Sequence, residues 1–461
     1  MPSIRVDDTA SAPAIADSSH FNGIYFSTDG TNDAQRDRTN DRPATSLNIS
    51  HTRSRAATPP TPLNPRAPEF IPSYKHPNSP RADASVDGLE PFHQHVIDGV
   101  VIRMTPDKGW GVFTCNALKR GTLIIKEPPL IAIATDSPSD AWLPYCRLGK
   151  NKTKVYDSLH SYANPGLALE QLSRQYLLEL DDFVEGEEYV NALVAEHVRV
   201  MSIFAVNQMS ITPTGRGVFA NTSRLNHSCV PNAYACWNPT QQQMTVYAIR
   251  DILPGEELCV SYSDGDAQFA ISIIRQEQLG WLYNFRCTCP ACEDQTGASD
   301  ARRELMTRLV WGLDNYDNGN IFTSHPYIPA EPIYALRQAQ DLVSLLLQEG
   351  LFDTELSKAY RRASGYALDL RDFQTALKHA YHEKDNERCC LGAMIDDLRR
   401  TGSASECWLE VIYDVIMREQ GLEAVTRYRT KARGIKKRIY KKATKAVRKM
   451  AASAKNGNAS H

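Results

Sequence analysis

The stretch Asn226-His227-Ser228-Cys229-Val230-Pro231-Asn232 decides the fold once it is set beside Cys287-Thr288-Cys289-Pro290-Ala291-Cys292 further along the chain. The second run places three thiols within six residues. A tetrahedral zinc site wants sulfurs ~2.3 Å from the metal, and ligands this close in sequence wrap one ion. The fourth ligand must come from elsewhere. Cys229, in a turn-rich stretch with Pro231-Asn232, is the candidate. The alternative is a set of reduced, unconnected cysteines. For Cys115, Cys146, Cys236, Cys259, Cys389, Cys390 and Cys407, which show no grouping, a small buried hydrophobe is the expected role.

Outward from that turn, the apolar stretch GVFANTSRL (217–225) ends in the polar run, whose side chains either point into a site or pin a turn. Downstream, Gly255-Glu256-Glu257-Leu258-Cys259-Val260-Ser261-Tyr262 reads as a strand closed by Tyr262, just before Ser263-Asp264-Gly265-Asp266. Adjacent strand residues face opposite sides, so Glu256 and Glu257 do not form a glycosidase-like carboxylate pair. Upstream, Lys108-Gly109-Trp110-Gly111 lets backbone approach a ligand closely. It lacks the G-x-G-x-x-G that opens a helix in dinucleotide-binding folds. No G-x-S-x-G or H-E-x-x-H signature occurs either.

The rest of the chain falls into blocks. Residues 1–90 are rich in Ser, Thr, Pro, Asn and Asp without apolar periodicity, and disorder is expected there. VIDGVVIRMT, KGWGVFT and GTLIIKEPPLIAIA predict short strands between 96 and 134, punctuated by Gly109, Gly111 and Gly121. From about 140 to 210, apolar spacings of three and four predict helices. QMTVYAIRDILPGEELCVSYS (243–263) predicts two strands joined by a turn at Pro254-Gly255. Beyond 296 the chain reads as helical. Tyr366, Ala367, Phe373, Ala376 and Ala380 suit one tetratricopeptide-like helix pair, with an irregular helical domain as the alternative. From 427 onward, Ile435, Ile439, Ala443 and Val447 recur among basic residues, predicting a basic amphipathic helix.

Bulk properties narrow the function. The N-terminus has no apolar core of a secretory signal. No run of about 18 apolar residues is present, so no membrane span is expected. The 11 cysteines then sit in a reducing compartment, where clusters bind metal more often than they form disulfides. Between Arg427 and Lys449 there are 12 Lys or Arg and no acid, which leaves −14 on the remainder of a chain whose net charge is −2. An acidic body with a basic tail concerns partners, not fold. The tail suits nucleic acid, an anionic membrane or an import receptor, or is simply a solvated helix.

Taken in this order, the motifs resemble a SET domain. The fold implied is α+β: small sheets with a pseudoknot and a post-SET zinc segment, followed by an all-α tetratricopeptide-like domain. The domains expected are a disordered region over 1–90, a SET domain with a helical insert over 91–295, a helical domain over 296–426 and a basic helical tail over 427–461. The resemblance is to SMYD-type protein-lysine methyltransferases. It implies S-adenosylmethionine as cofactor, with Lys108, Gly109, Trp110 and Gly111 forming the first cofactor loop. Asn226 and His227 would hold the methionine end and the adenosine, and Phe285 would stack on adenine. Tyr262 would sit at the methyl-transfer point, against the cofactor, as the catalytic residue. Tyr283 and Phe204 would line a lysine channel. Cys229, Cys287, Cys289 and Cys292 would bind one structural zinc ion, closed to further ligands.

SMYD proteins also carry a MYND zinc finger within this region. Here only Cys146 lies in that place, so the finger is absent from the expectation. Ser202 stands where family members place an asparagine that touches the cofactor. The partners implied are a protein substrate bearing the target lysine and, through the tail, an import receptor or nucleic acid. A monomer in the nucleus and/or cytoplasm is expected. A SET-fold binding module with little catalysis is the competing reading.

Overall fold

The computed structural model describes residues 97–457 apart from 106–107, 162–166, 181–186, 264, 321–324, 393–397, 400–401 and 403. The disorder expected over 1–90 lies outside the described residues. The strands are β1 (Val100–Thr105), β2 (Gly109–Thr114), β3 (Leu123–Glu127), β4 (Ile131–Ile133), β5 (Met209–Ser210), β6 (Arg216–Val218), β7 (Asn226–His227), β8 (Ala233–Asn238), β9 (Gln243–Ala248) and β10 (Glu257–Val260). They form three small sheets, ordered β1-β2-β10-β7, β3-β9-β8 and β4-β6-β5.

The chain order of the first sheet is what builds the site. β1 and β2 are a hairpin in register from Val100↔Thr114 to Thr105↔Gly109, and Gly109 has φ +71° where the turn ends. β10 then lies between β2, antiparallel, and β7, parallel. The two strands expected over 243–263 do form, and Gly255 turns with φ +82°. They do not pair with each other. Ile252 bridges to Leu118 instead, which diverts the chain from one sheet into another.

Among the described residues between β4 and β5 are the α-helices α1 (Trp142–Cys146), α2 (Lys150–Asp157), α3 (Leu167–Leu180) and α4 (Glu187–Asn207). Val190, Val194, Val198 and Met201 recur along α4 at spacings of four and three and are buried. Among the described residues, α4 alone is long and apolar enough to cross a membrane, with a mean hydropathy of 1.3. It is not an unbroken apolar run, since Glu196, His197 and Arg199 interrupt it. The physical reason for its apolarity is packing: α4 is the core helix of the insert, against Ile131, Trp142, Tyr145 and Tyr156.

α5 (Ser272–Tyr283) follows β10, and every later described element is helical: α6 (Ala298–Asp317), α7 (Pro332–Glu349), α8 (Thr354–Asp369), α9 (Phe373–Leu391) and α10 (Ser405–Gly457). α8 and α9 make the expected pair. Asp353 and Asp372 cap them, accepting from the Glu355 and Thr375 amides at 3.0 and 3.1 Å. Ala363, Ala367, Ala376 and Ala380 are fully buried in the helical core, so the backbones approach closely. α10 breaks at Gly421, with φ 79° and ψ 179°. The helical part is joined to the strands through Arg120. Its guanidinium donates to Asp385 Oδ2 at 2.6 Å, Asn386 Oδ1 at 2.7 Å and the Ile249 carbonyl at 3.0 Å.

Candidate active site and cysteine cluster

The Asn226–Asn232 turn is held from three sides. Below it, Glu127 on β3 is buried and, among the described residues, has no cation bonded to it. It accepts instead from the Asn221 amide and Nδ2 and from the Thr222 amide and Oγ1, at 2.6–3.1 Å. That many donors offset the cost of burying a carboxylate and fix the short turn ahead of Asn226. Beside it, the Ser228 amide donates to the Val260 carbonyl at 3.0 Å, and the Cys259 amide donates to Asn232 Oδ1 at 2.8 Å. Above it, the Tyr262 amide donates to His227 Nδ1 at 2.9 Å. That bond assigns the imidazole proton to Nε2, which faces Cys229 Sγ at 3.2 Å. Burial keeps His227 neutral, pulling its pKa down to about 4.

A polar cluster forms on one side of the turn. Asn226 Nδ2 donates to Glu257 Oε1 at 2.7 Å and to the Trp110 carbonyl at 3.3 Å. Lys108 Nζ reaches Glu257 Oε2 at 3.0 Å. Burial pulls the Lys108 ammonium down, but the Glu257 carboxylate more than offsets this and holds its pKa above the ordinary value. A Cβ at Gly111 would stand 2.8 Å from Glu257 Oε1 and 3.0 Å from Asn226 Nδ2, so only glycine lets this loop close on them. Lys108, Gly109, Trp110, Gly111 and Asn226 are thus brought together.

An aromatic group forms on the other side. α5 ends at Asn284, whose φ of 56° turns the chain so that Tyr283 and Phe285 both face the strands. Ring centroids are 4.9 Å apart for Tyr262–Tyr283, 5.2 Å for His227–Tyr262, 6.0 Å for His227–Phe285 and 6.3 Å for Tyr262–Phe285, the last edge to face. The Tyr262 hydroxyl donates to the Leu225 carbonyl at 2.7 Å, which fixes its ring. Burial drives its phenol pKa far above the ordinary value, so it stays a neutral donor.

The four expected cysteines converge behind these rings. The sulfurs of Cys229, Cys287, Cys289 and Cys292 all lie within 4.8 Å of one another, with Cys229 and Cys292 at 3.5 Å. Sulfurs at ~2.3 Å from one tetrahedral ion stand ~3.8 Å apart, so the quartet fits a single zinc ion. Two buried arginines, Arg275 and Arg303, face it. Cys146, in the insert, is exposed and apart from them.

Phe204 lies in a different cluster from Tyr262 and Tyr283. It is fully buried on α4, in the apolar cluster of the helical insert, where an aromatic fills the core. Ser202, two residues earlier, is also buried, and its hydroxyl has no hydrogen-bond partner. Glu257 and Arg275 were not singled out from the sequence. The strand alternation separates Glu257 from Glu256 but names neither partner.

Comparison with known proteins places one segment of the chain. Residues 109–263 match the family model described as SET domain. Over that span the chain is similar to SET domains. The match takes in the first loop from Gly109 onward, the Asn226–Asn232 turn and Tyr262, and stops short of Lys108, Tyr283, Phe285 and three of the four cysteines. Over 226 residues the chain is 27% identical to "Histone-lysine N-methyltransferase set5" of Schizosaccharomyces pombe, covering 47% of this chain and 58% of that protein. Over 78 residues it is 41% identical to "Protein-lysine N-trimethyltransferase SMYD5" of Mus musculus, covering 17% and 19% respectively. It thus spans less than two thirds of either relative. Among solved structures, the SET domain of LSMT bound to lysine and AdoHcy aligns over 76% of this chain and 90% of that chain at 12% identity, with a TM-score of 0.30.

Proposed function

We propose that this protein transfers a methyl group from S-adenosylmethionine to the side-chain nitrogen of a lysine in a protein substrate. The observation that carries the reading is the meeting, across one turn, of the Lys108–Asn226–Glu257 cluster with the His227–Tyr262–Tyr283–Phe285 group. The cofactor would supply the activated methyl. Lys108 and Asn226 would bind its charged amino-acid end, and Phe285 would offer a flat face to its base. Tyr262 and Tyr283 would exclude water and orient the incoming amine. Apolar walls and a nearby positive sulfur lower the amine's pKa, so it arrives neutral without a general base.

Cys229, Cys287, Cys289 and Cys292 would hold one zinc ion. Four sulfurs leave it no open position, so its work is to tie the segment after Tyr283 back to the turn. Nuclear and/or cytoplasmic placement as a monomer fits this reading. The basic tail over 427–461 would serve as the handle for an import receptor or nucleic acid, and deleting 427–461 should change the protein's cellular distribution.

The test is incubation with labelled cofactor and a protein extract. Wild type labels a protein, and Tyr262→Phe lowers turnover by about 10²-fold, the cost of one preorganised donor, while cofactor binding survives. Cofactor binding without label transfer would favour a SET-fold binding module. Neither binding nor transfer would sink the assignment.

A further inference from the structure

We propose that Arg275 is the charge-balancing partner of the cysteine quartet and sets how firmly a zinc ion is held there; this rests on the zinc reading above. The Arg275 side chain is 1% exposed. A guanidinium keeps its charge at any ordinary pH, so a full positive charge is buried and needs a counter-charge.

Its neighbours leave few sources for one. Nε points at Cys229 Sγ at 3.2 Å, and Nη2 lies 3.5 Å from Cys292 Sγ. The remaining bonds go to the Ala270 and Ala291 carbonyls, which are neutral. Asp300 approaches only to 3.7 Å, is one-third exposed and already accepts from the Ser272 amide and hydroxyl. Protonated thiols are weak acceptors and carry no charge. Four thiolates around one divalent zinc ion keep a net double negative charge, and that is what the Arg275 site is shaped to meet.

Arg303 makes the contrast. It is equally buried, but Glu349 stands 2.9 Å from its Nε, and it touches the quartet only through the Cys229 carbonyl at 2.8 Å. Arg303 therefore braces backbone, whereas Arg275 addresses sulfur. Arg275 also sits near the start of α5, whose last residue is Tyr283. The metal state and the aromatic wall thus share one rigid element.

The experiment uses the full chain. Elemental analysis first counts zinc per chain, and release to a competing chelator is then timed for wild type, Arg275→Gln and Arg275→Lys. Outer contacts of this kind are worth about 10–100-fold in metal retention. Arg275→Gln should release zinc faster by that factor, and Arg275→Lys, which keeps the charge but loses the fork, by less. Release from Arg275→Gln within about twofold of wild type would overturn the proposal. If that variant fails to fold, Arg275→Lys decides: faster release supports the assignment and unchanged release overturns it. A wild-type chain without zinc would overturn the zinc reading itself, and Arg275 with it, which the initial count reveals.

Discussion

Glu257 has two partners from distant parts of the chain, Lys108 and Asn226, and neither contact is visible in local sequence: Lys108 lies 149 residues away. With one carboxylate aligning both, Glu257→Gln should weaken cofactor binding by about tenfold, the loss of ~1.5 kcal/mol from a charged hydrogen bond. Calorimetry would measure this, with kcat at saturating cofactor nearly preserved; an equal fall in kcat would mean that Glu257 acts on the transferred methyl's path. What could be read from sequence at this scale was whatever local spacing encodes. Asn226, His227, Tyr262 and the cysteines sit in short motifs with characteristic neighbours. Phe204 is harder to read, because a phenylalanine on an apolar helix face suits a core and a channel wall equally well. Only the packing of α4 separates the two.

At the scale of elements, the insert holds its own pH dependence. His197 on α4 is fully buried between Trp142 and Tyr176, with centroids at 5.1 and 5.0 Å, and neither ring nitrogen has a hydrogen-bond partner. Burial lowers its pKa from 6.5 to about 4. The unfolded chain therefore binds the proton more readily than the folded one between those values. Stability is fully present above pH 6.5 and is lost as pH falls toward 4, on the order of 3 kcal/mol over the whole span. Thermal unfolding between pH 7.5 and 5 should show this loss, and His197→Phe should show less of it. Identical pH profiles would assign the dependence elsewhere. The helices of the insert were legible because apolar residues three and four apart define a face. The separation of β9 from β10 was not, because the Leu118–Ile252 bridge that diverts the chain is a long-range choice.

At the scale of the molecule, the strand-built part and the helical part fit too closely for substitution. A Cβ at Gly392, just past α9, would stand 2.0 Å from the Tyr247 ring on β9. Gly392→Ala should destabilise the protein by about 1–3 kcal/mol, as overpacking does, and lower the melting temperature in a calorimetric scan. An unchanged melt would mean that the two parts slide freely. The parallel pairing of β7 with β10 has a further consequence, for the order in which the molecule can be made. Asn226 cannot meet Cys259 until β8 and β9 have emerged between them, and Cys229 waits longer still for Cys292. Each closure costs chain entropy before any contact repays it. On the ribosome the turn therefore passes through synthesis unaccompanied, and a chain halted anywhere before Cys292 carries the motif but not the site. The candidate site is therefore completed late in biogenesis, only after Cys292 has emerged.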